Sequence, residues 1–450
     1  MNAMPMASHR LIENNVPRYT SYPTAPHFHA GVDPATASGW MDTIDDGEAV
    51  SLYIHIPFCD RLCWFCACNT RQTLRYEPVA QYLATLYREM DLVGGRIGRR
   101  AVIGAIHLGG GSPTMLRPDD LRALRERLEA NFTLSPDAAL SVEIDPNDMD
   151  DERLDALAAI GLTRASLGIQ DFEPRVQKAI NREQSFETTA RVIDGLRARG
   201  VGSVNIDLLY GLPFQTVDTL GATIEQALSL RPDRVALFGY AHVPWFKKHQ
   251  TMIDEETLPD LAARLEQARV AAGLIRSAGY LPIGIDHFAL PDDGLAEAAR
   301  HGRLRRNFQG YTDDPCETLI GLGPSSVSRF RQGYAQNTPS VAGYRRMVEA
   351  ATLATARGRA LTEDDRVRGW VIERLMCDFC FSASEVRSTF GRAAEPVLHE
   401  AALLAQASPY FTRDGDRFVI GKDAHLLARA LASHFDAYLS SGIARHSSAV

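Results

Sequence analysis

Ser51-Leu52-Tyr53-Ile54-His55-Ile56-Pro57-Phe58-Cys59-Asp60-Arg61-Leu62-Cys63-Trp64-Phe65-Cys66-Ala67-Cys68 is the stretch that decides the fold. Its first six residues form a nearly continuous apolar run of strand length, and Pro57, with no N–H for a neighbouring strand, marks its end. Strand-like runs recur at 102–108, 139–144, 164–169, 203–209 and 233–239. Amphipathic stretches of helical period lie between and after them, at about 76–93, 117–131, 150–160, 173–199, 216–229 and 257–278. Six strand-then-helix units in succession predict an α/β fold with a parallel sheet, its short apolar strands buried on both faces. The polar and glycine residues collect where strands open into helices. That favours a curved or closed sheet whose strand ends converge on one mouth.

Working outward, residues 1–50 show little periodicity, and Pro17-Arg18-Tyr19-Thr20-Ser21-Tyr22-Pro23-Thr24 reads as an extended arm because residues before proline leave helical geometry. After about residue 290 the alternation fades into a Gly- and Arg-rich stretch. Residues 360–440 read as a small helical unit with a hairpin around Tyr410–Ile420, expected to act as a lid over the mouth. The expected division is an arm over 1–50, a βα barrel over 51–290, a barrel extension and connecting region over 291–360, and a mostly helical domain over 361–450.

The chain has 450 residues, 45% of them hydrophobic, enough for more than one packed unit. It shows neither the secretory pattern at the N-terminus nor an apolar run of membrane-spanning length, so a cytoplasmic location without a membrane span is expected. A formal charge of −8 argues against general nucleic-acid affinity, and an anionic substrate would need local arginines. Seven cysteines, four of them between positions 59 and 68, argue against a disulfide framework and for metal or redox use.

Cys59, Cys63 and Cys66 have the spacing C-x3-C-x2-C. Three thiolates on one loop can hold three corners of a cubane iron–sulfur cluster and leave one iron open to another ligand. The alternative is a structural zinc completed by Cys68, which sits awkwardly close to Cys66 for a fourth tetrahedral ligand. Cys316, Cys377 and Cys380 are scattered and read as packing residues.

The cysteine motif after the first strand, with Gly109-Gly110-Gly111-Ser112-Pro113 after the second, resembles the radical S-adenosylmethionine (SAM) superfamily. Closer likeness comes from the arm, Cys68-Asn69, Glu143-Ile144-Asp145-Pro146, Gly168-Ile169-Gln170-Asp171-Phe172, Asn181-Arg182-Glu183-Gln184, Asn205-Ile206-Asp207-Leu208, Tyr240-Ala241-His242-Val243-Pro244, Asp286-His287-Phe288 and Asn307-Phe308-Gln309-Gly310-Tyr311. Together these segments resemble the oxygen-independent coproporphyrinogen III oxidases over nearly the whole chain.

The resemblance implies an incomplete (β/α) radical SAM barrel of about six βα units, with an N-terminal arm and a small, mostly helical C-terminal domain. It implies a [4Fe–4S] cluster, two SAM molecules, and oxidative decarboxylation of two propionates of coproporphyrinogen III to the vinyl groups of protoporphyrinogen IX, begun by a 5′-deoxyadenosyl radical. A low-potential electron donor such as flavodoxin or ferredoxin and a monomeric state go with it. By the same resemblance Cys59, Cys63 and Cys66 hold the cluster. Tyr53, Gly111, Glu143 and Val327 line the first SAM; Phe65, Ser112, Pro113, Gln170, Arg182, Asp207 and Ala241 line the second. Cys68 corresponds to a family cysteine that is not a ligand. Ser112 where threonine is usual and Val327 where isoleucine is common are mild departures.

For the substrate's propionates, charge complementarity nominates Arg18 and the group Arg303, Arg305 and Arg306. Tyr19 and Tyr22 either cover the macrocycle or pin the arm to the barrel. Rival readings are a haem-binding chaperone of the same superfamily, a two-SAM radical enzyme acting on another substrate, and a zinc-stabilised binding module.

Overall fold

The computed structural model describes residues 16–439, so residues 1–15 of the expected arm and 440–450 of the expected C-terminal domain lie outside it. Six strands follow the sequence pattern: β1 (Ala49–Ile56), β2 (Val102–Gly110), β3 (Thr133–Ile144), β4 (Arg164–Gln170), β5 (Ser203–Tyr210) and β6 (Arg234–Gly239). They pair in parallel in that spatial order. Beyond β6, a short antiparallel pair, β7 (Leu281–Ile283) and β8 (His287–Ala289), finishes one edge. On the other side β9 (Thr318–Leu322) lies parallel to β1, followed by an antiparallel meander of β10 (Val327–Phe330), β11 (Gly333–Asn337) and β12 (Thr355–Ala360). The twelve strands make one open sheet, so the barrel is incomplete. The parallel strand β9 comes from the stretch read as a connecting region. Its five residues are too few for a periodic signal inside a Gly- and Arg-rich segment.

The helices that follow the six main strands are α1 (Glu77–Ile97), α2 (Pro118–Asn131), α3 (Asp151–Ala159), α4 (Pro174–Ala179), α5 (Phe186–Ala198), α6 (Val217–Ser229) and α7 (Leu261–Ser277). The single helix expected over 173–199 is two. Asn181 takes the left-handed conformation, φ 54°, and ends the first. Ser185 caps the second by accepting from the Thr188 N–H at 3.0 Å.

Burial on both faces of every strand is also not what forms. In β4, Ala165, Leu167 and Ile169 are buried while Arg164, Ser166, Gly168 and Gln170 are half-buried; in β5, Val204, Ile206 and Leu208 alternate with Ser203, Asn205 and Asp207. The apolar set packs under the helices, where each fully buried Leu or Ile contributes about 2 kcal/mol. The polar set faces the barrel interior, which is therefore a lined cavity. At its lower end the two guanidinium nitrogens of Arg164 meet both carboxylate oxygens of Asp313 at 2.6 and 2.5 Å, and Arg234 bridges Asp313 to Asp293.

The C-terminal unit sets α8 (Glu363–Cys377) against short helices and a three-stranded sheet of Cys380–Ser382, Arg417–Ile420 and Phe411–Asp414. Phe381, Phe411, Phe418 and Phe435 form its core. The arm is pinned to this unit: the Tyr19 hydroxyl donates to Asp436 at 3.0 Å, and the Tyr22 hydroxyl accepts from the Ala437 N–H at 3.0 Å. Leu426 and Arg429 of the same unit meet the upper ends of β5 and β6 at Tyr210 and Gly239. Among the described residues no helix is long and apolar enough to cross a membrane.

Candidate active site

The cysteine loop leaves the upper end of β1 and is held by backbone bonds to its neighbours. Gly111 N donates to Ile56 O at 2.8 Å and Ser112 N to Phe58 O at 2.7 Å, tying it to the end of β2. The break between α4 and α5 supplies a second clamp: Trp64 N donates to Ile180 O, and Asn181 Nδ2 to Leu62 O, both at 2.9 Å. From the loop after β6, Lys247 Nζ reaches Cys68 O, His249 Nε2 reaches Cys66 O, and Gln250 Nε2 reaches Phe65 O, at 2.7 to 2.8 Å. Three segments far apart in sequence thus fix a loop whose own residues have little regular structure.

The three thiols sit in different surroundings. Burial pushes Cys59 up to about 12, although Thr70 Oγ1 lies 3.0 Å from its sulfur. Burial likewise raises Cys63, opposed by Arg182, whose Nη1 is 3.7 Å away. Hydrogen bonding from the Cys68 thiol holds Cys66 at about 7 against burial, and the Cys68 N–H adds a bond at 3.3 Å. Buried thiols that resist ionisation in isolation become thiolates when a cationic cluster is the partner.

Beneath the loop lies a cavity of about 730 Å³ running down the barrel. Cys59, Cys63 and Cys66 line its top with Phe65, Gly111 and Ser112. Glu143, Gln170, Arg182 and Asp207 come from the surrounding strands and from the break between α4 and α5. The other four residues named from sequence lie outside that lining. Tyr53 stacks on His107 with ring centroids 5.8 Å apart, Pro113 is buried at the start of a 3-10 turn, Ala241 lines a smaller cavity at the rim, and Val327 packs with Phe28 and Tyr334. Arg303 and Arg305 face a separate cavity between the arm and α8.

Several polar groups around the cavity were given no role from sequence. Gly110 N donates to Glu143 Oε2 at 2.9 Å, and His107 Nε2 lies 3.2 Å from Oε1, so Glu143 stays ionised below its usual range despite burial. Asp145 accepts from Arg182 Nη1 at 3.0 Å in a pair whose side chains are each 9% exposed. His287, held at 2.7 Å by Asp286, faces the cavity between Phe238 and Tyr311. The glycine run, the only local hint for Gly110, gave no reason to prefer it over its neighbours.

The comparisons with known proteins decide the family. The radical SAM superfamily model matches residues 53–227. The anaerobic coproporphyrinogen III oxidase 1 of Cereibacter sphaeroides is 47% identical over 95% of each chain, and the oxygen-independent coproporphyrinogen III oxidase of Bradyrhizobium diazoefficiens is 45% identical over 97% of this chain and 98% of its own. This chain belongs to the oxygen-independent coproporphyrinogen III oxidases. The solved structure of the Escherichia coli coproporphyrinogen III oxidase, described as a radical SAM enzyme, superposes with a TM-score of 0.90 at 35% identity, covering 95% of this chain and all of that one. The chain is therefore a radical SAM oxidoreductase with the α/β fold of that family, and its cofactors are a [4Fe–4S] cluster and SAM.

The residues present fit those groups. Among the described residues no three His, Cys, Asp or Glu side chains converge as one metal ion requires. Thiolates that each bind a different iron of a cubane have no need to converge on one point. A Cβ on Gly111 would stand 2.4 Å from Phe58 O, and Gly110 has φ +114°, so only glycines let this backbone line the cavity below the loop. Arg182, buried beside Cys63, has an Nε without a hydrogen-bond partner, and so retains a donor in the wall of a site built for a carboxylate-bearing cofactor.

Proposed function

We propose that this chain converts two propionate side chains of coproporphyrinogen III to vinyl groups with loss of two CO2, giving protoporphyrinogen IX in tetrapyrrole biosynthesis. The observation that carries the reading is the thiol-capped polar cavity in a chain alignable end to end with enzymes named for that substrate. Bound at the loop, the cluster with SAM would supply a 5′-deoxyadenosyl radical for removal of a propionate β-hydrogen, after which loss of CO2 would release one electron to an external acceptor.

In this reading Cys59, Cys63 and Cys66 hold the cluster and leave one iron for SAM. Tyr53, Gly111, Glu143 and Val327 serve the first SAM. Phe65, Ser112, Pro113, Gln170, Arg182, Asp207 and Ala241 serve a second. Glu143 supports its role by being ionised and backbone-anchored, suited to an ammonium group or ribose hydroxyls. Arg182 suits a methionine carboxylate. Asp207 accepts from Asn205 at 2.8 Å and from Ser166 at 3.2 Å, which fixes its carboxyl at mid-barrel.

We extend the reading to the division of the chain into an arm over 1–50, a barrel over 51–290, an extension over 291–360 and a helical domain over 361–450. The start of β1 at Ala49 and of α8 at Glu363 supports its outer boundaries. A cytoplasmic monomer served by a low-potential donor such as flavodoxin or ferredoxin completes it. The test is anaerobic reconstitution with iron and sulfide, then SAM, reductant and coproporphyrinogen III. Methionine, 5′-deoxyadenosine and a divinyl product are expected. SAM cleavage without decarboxylation would refute the substrate, and failure to assemble a cluster would refute the class of chemistry.

A further inference from the structure

Two segments flank the cysteine loop, residues 69–76 on one side and 241–252 on the other. The first is tied to it by Arg71 N, which donates to Pro57 O at 2.8 Å, and by Thr73 N, which donates to Cys59 O at 2.9 Å. Lys247, His249 and Gln250 tie the second to the carbonyls of Cys68, Cys66 and Phe65. Ala67, at the tip between the two, is exposed.

Two properties set this face apart. Six large apolar side chains are exposed among the described residues, and four of them, Leu74, Trp245, Phe246 and Met252, belong to these two segments. Leu74 is 86% and Phe246 70% exposed. Exposed apolar residues scattered singly over a surface are ordinary, but several gathered around one feature mark an interaction site. The charge is equally one-sided. Arg71, Arg75, Lys247 and Lys248 fall within the two segments and no carboxylate does, in a chain whose formal charge is −8. Arg71, Arg75 and Lys248 are exposed. Carboxylates resume at Glu77 and Asp254. Of the acids nearby, Asp60 lies 3.4 Å from Arg61, and Glu255 lies 3.0 Å from His242.

A cluster held by this loop has to gain an electron from outside before SAM can be cleaved. Electron transfer weakens steeply with distance, so the donor has to approach where the loop meets solvent. Short-lived electron-transfer complexes cover little area, with an apolar centre inside a polar rim. Opposite charge brings such partners together fast. A lipid surface fits less well, because neither segment forms the amphipathic helix by which proteins lie on membranes. We propose that the face made by residues 69–76 and 241–252 is the docking surface for a small acidic one-electron carrier protein with an apolar patch of its own. The carrier is oxidised by one electron and the cluster is reduced by it, and no bond is made or broken. That the partner is an electron carrier rests on the donor reading above.

The test uses the reconstituted protein with flavodoxin, an acidic flavin protein that passes single electrons, as the probe. Two quantities are measured without oxygen: the affinity for oxidised flavodoxin, by titration calorimetry, and the rate at which flavodoxin hydroquinone bleaches the visible absorbance of the cluster. Phe246→Ser and Lys248→Glu are each expected to weaken flavodoxin binding about 5- to 10-fold, the loss typical of an interface aromatic or a steering charge, and to slow reduction by flavodoxin. Reduction by dithionite, cluster content and melting temperature should match the wild type. Arg99→Glu, an equal change of charge at an exposed site just before β2, at the opposite end of the strands, should alter neither quantity. Equal affinity and rate in the wild type and both patch variants, or an equal loss in Arg99→Glu, overturns the docking surface while the donor reading stands. Binding to anionic lipid vesicles, or self-association, that the patch variants lose while keeping flavodoxin binding also overturns it. If dithionite bleaches the cluster but flavodoxin neither binds nor reduces the wild type, the donor reading falls and the docking surface with it.

Discussion

At Arg182 a single side chain serves both the cluster loop and the cavity wall. It pairs with Asp145, approaches the Cys63 sulfur, and donates to Gly168 O at 2.6 Å. Burial works against its charge, but Asp145 and Cys63 outweigh that and raise its pKa. Replacing Asp145 by Asn leaves a buried guanidinium without its counter-charge, and breaking such a pair costs about 3–5 kcal/mol; chemical denaturation of the apo-protein should show a loss of that order. A loss below 1 kcal/mol would mean that the pair is solvated. At the loop itself, Cys59→Ser should abolish the visible absorbance of the reconstituted cluster. Cys68→Ser should keep it, because a serine hydroxyl can replace the thiol as donor and the Cys68 backbone N–H still reaches the Cys66 sulfur. Iron and sulfide analysis of the two variants decides the ligand count. The thiols were legible in the sequence because their spacing is local. The roles of Asp145 and His107 were not, since they arise from partners 37 and 36 residues away whose proximity depends on strand register or loop course.

Among the elements, the break between α4 and α5 has the largest effect on the site. The helical period runs through 173–199, and periodicity alone cannot register an interruption of half a dozen residues when the apolar face resumes afterwards. Two local signals were present in Asn181 and Ser185, residue types that favour a left-handed stop and an N-cap. The break carries Arg182 inward and clamps the cysteine loop at Leu62 and Trp64. Asn181→Gly keeps the backbone conformation and removes the side-chain bond, so chelators should strip the cluster faster with little change in melting temperature. Asn181→Val adds strain of about 1–2 kcal/mol in a left-handed position, and its melting temperature should fall as well. Cluster loss from Asn181→Gly no faster than from the wild type would separate the clamp from cluster retention. The strands tell a complementary story. Their apolar alternate residues identified the sheet, but Ser203, Asn205 and Asp207 declare an interior cavity only once the curvature is known.

For the whole molecule, a buried acid ties α1 to the β9 side of the sheet. Glu89 of α1 accepts from Gly323 N, Asn337 Nδ2 and Tyr344 OH, each at 2.7 Å, and so joins α1 to the segment carrying β9, β11 and the helix that follows. Burial pushes its pKa up to about 7 even with these donors. Between its ordinary value and that one the folded state holds more protons than the unfolded state, so stability falls as pH rises through this window. The change amounts to about 3 kcal/mol at most. Denaturation midpoints between pH 4.5 and 7.5 should show this decline in the wild type and a shallower one in Glu89→Gln; identical slopes would count against it. The sequence disclosed the order of the six main strands because each carries its own apolar run. It concealed β9 and the meeting of distant segments, since neither depends on anything within a window of neighbouring residues.

That meeting has a temporal consequence. Tyr19 and Tyr22 find their partners at Asp436 and Ala437, so the longest-range bonds of the fold join some of the first described residues to be synthesised with some of the last. While the ribosome builds the barrel, these two tyrosines of the arm have no partners yet. The rim is assembled only after translation has passed residue 437, and a chain released before that point would lack both bonds that pin its arm to the C-terminal unit.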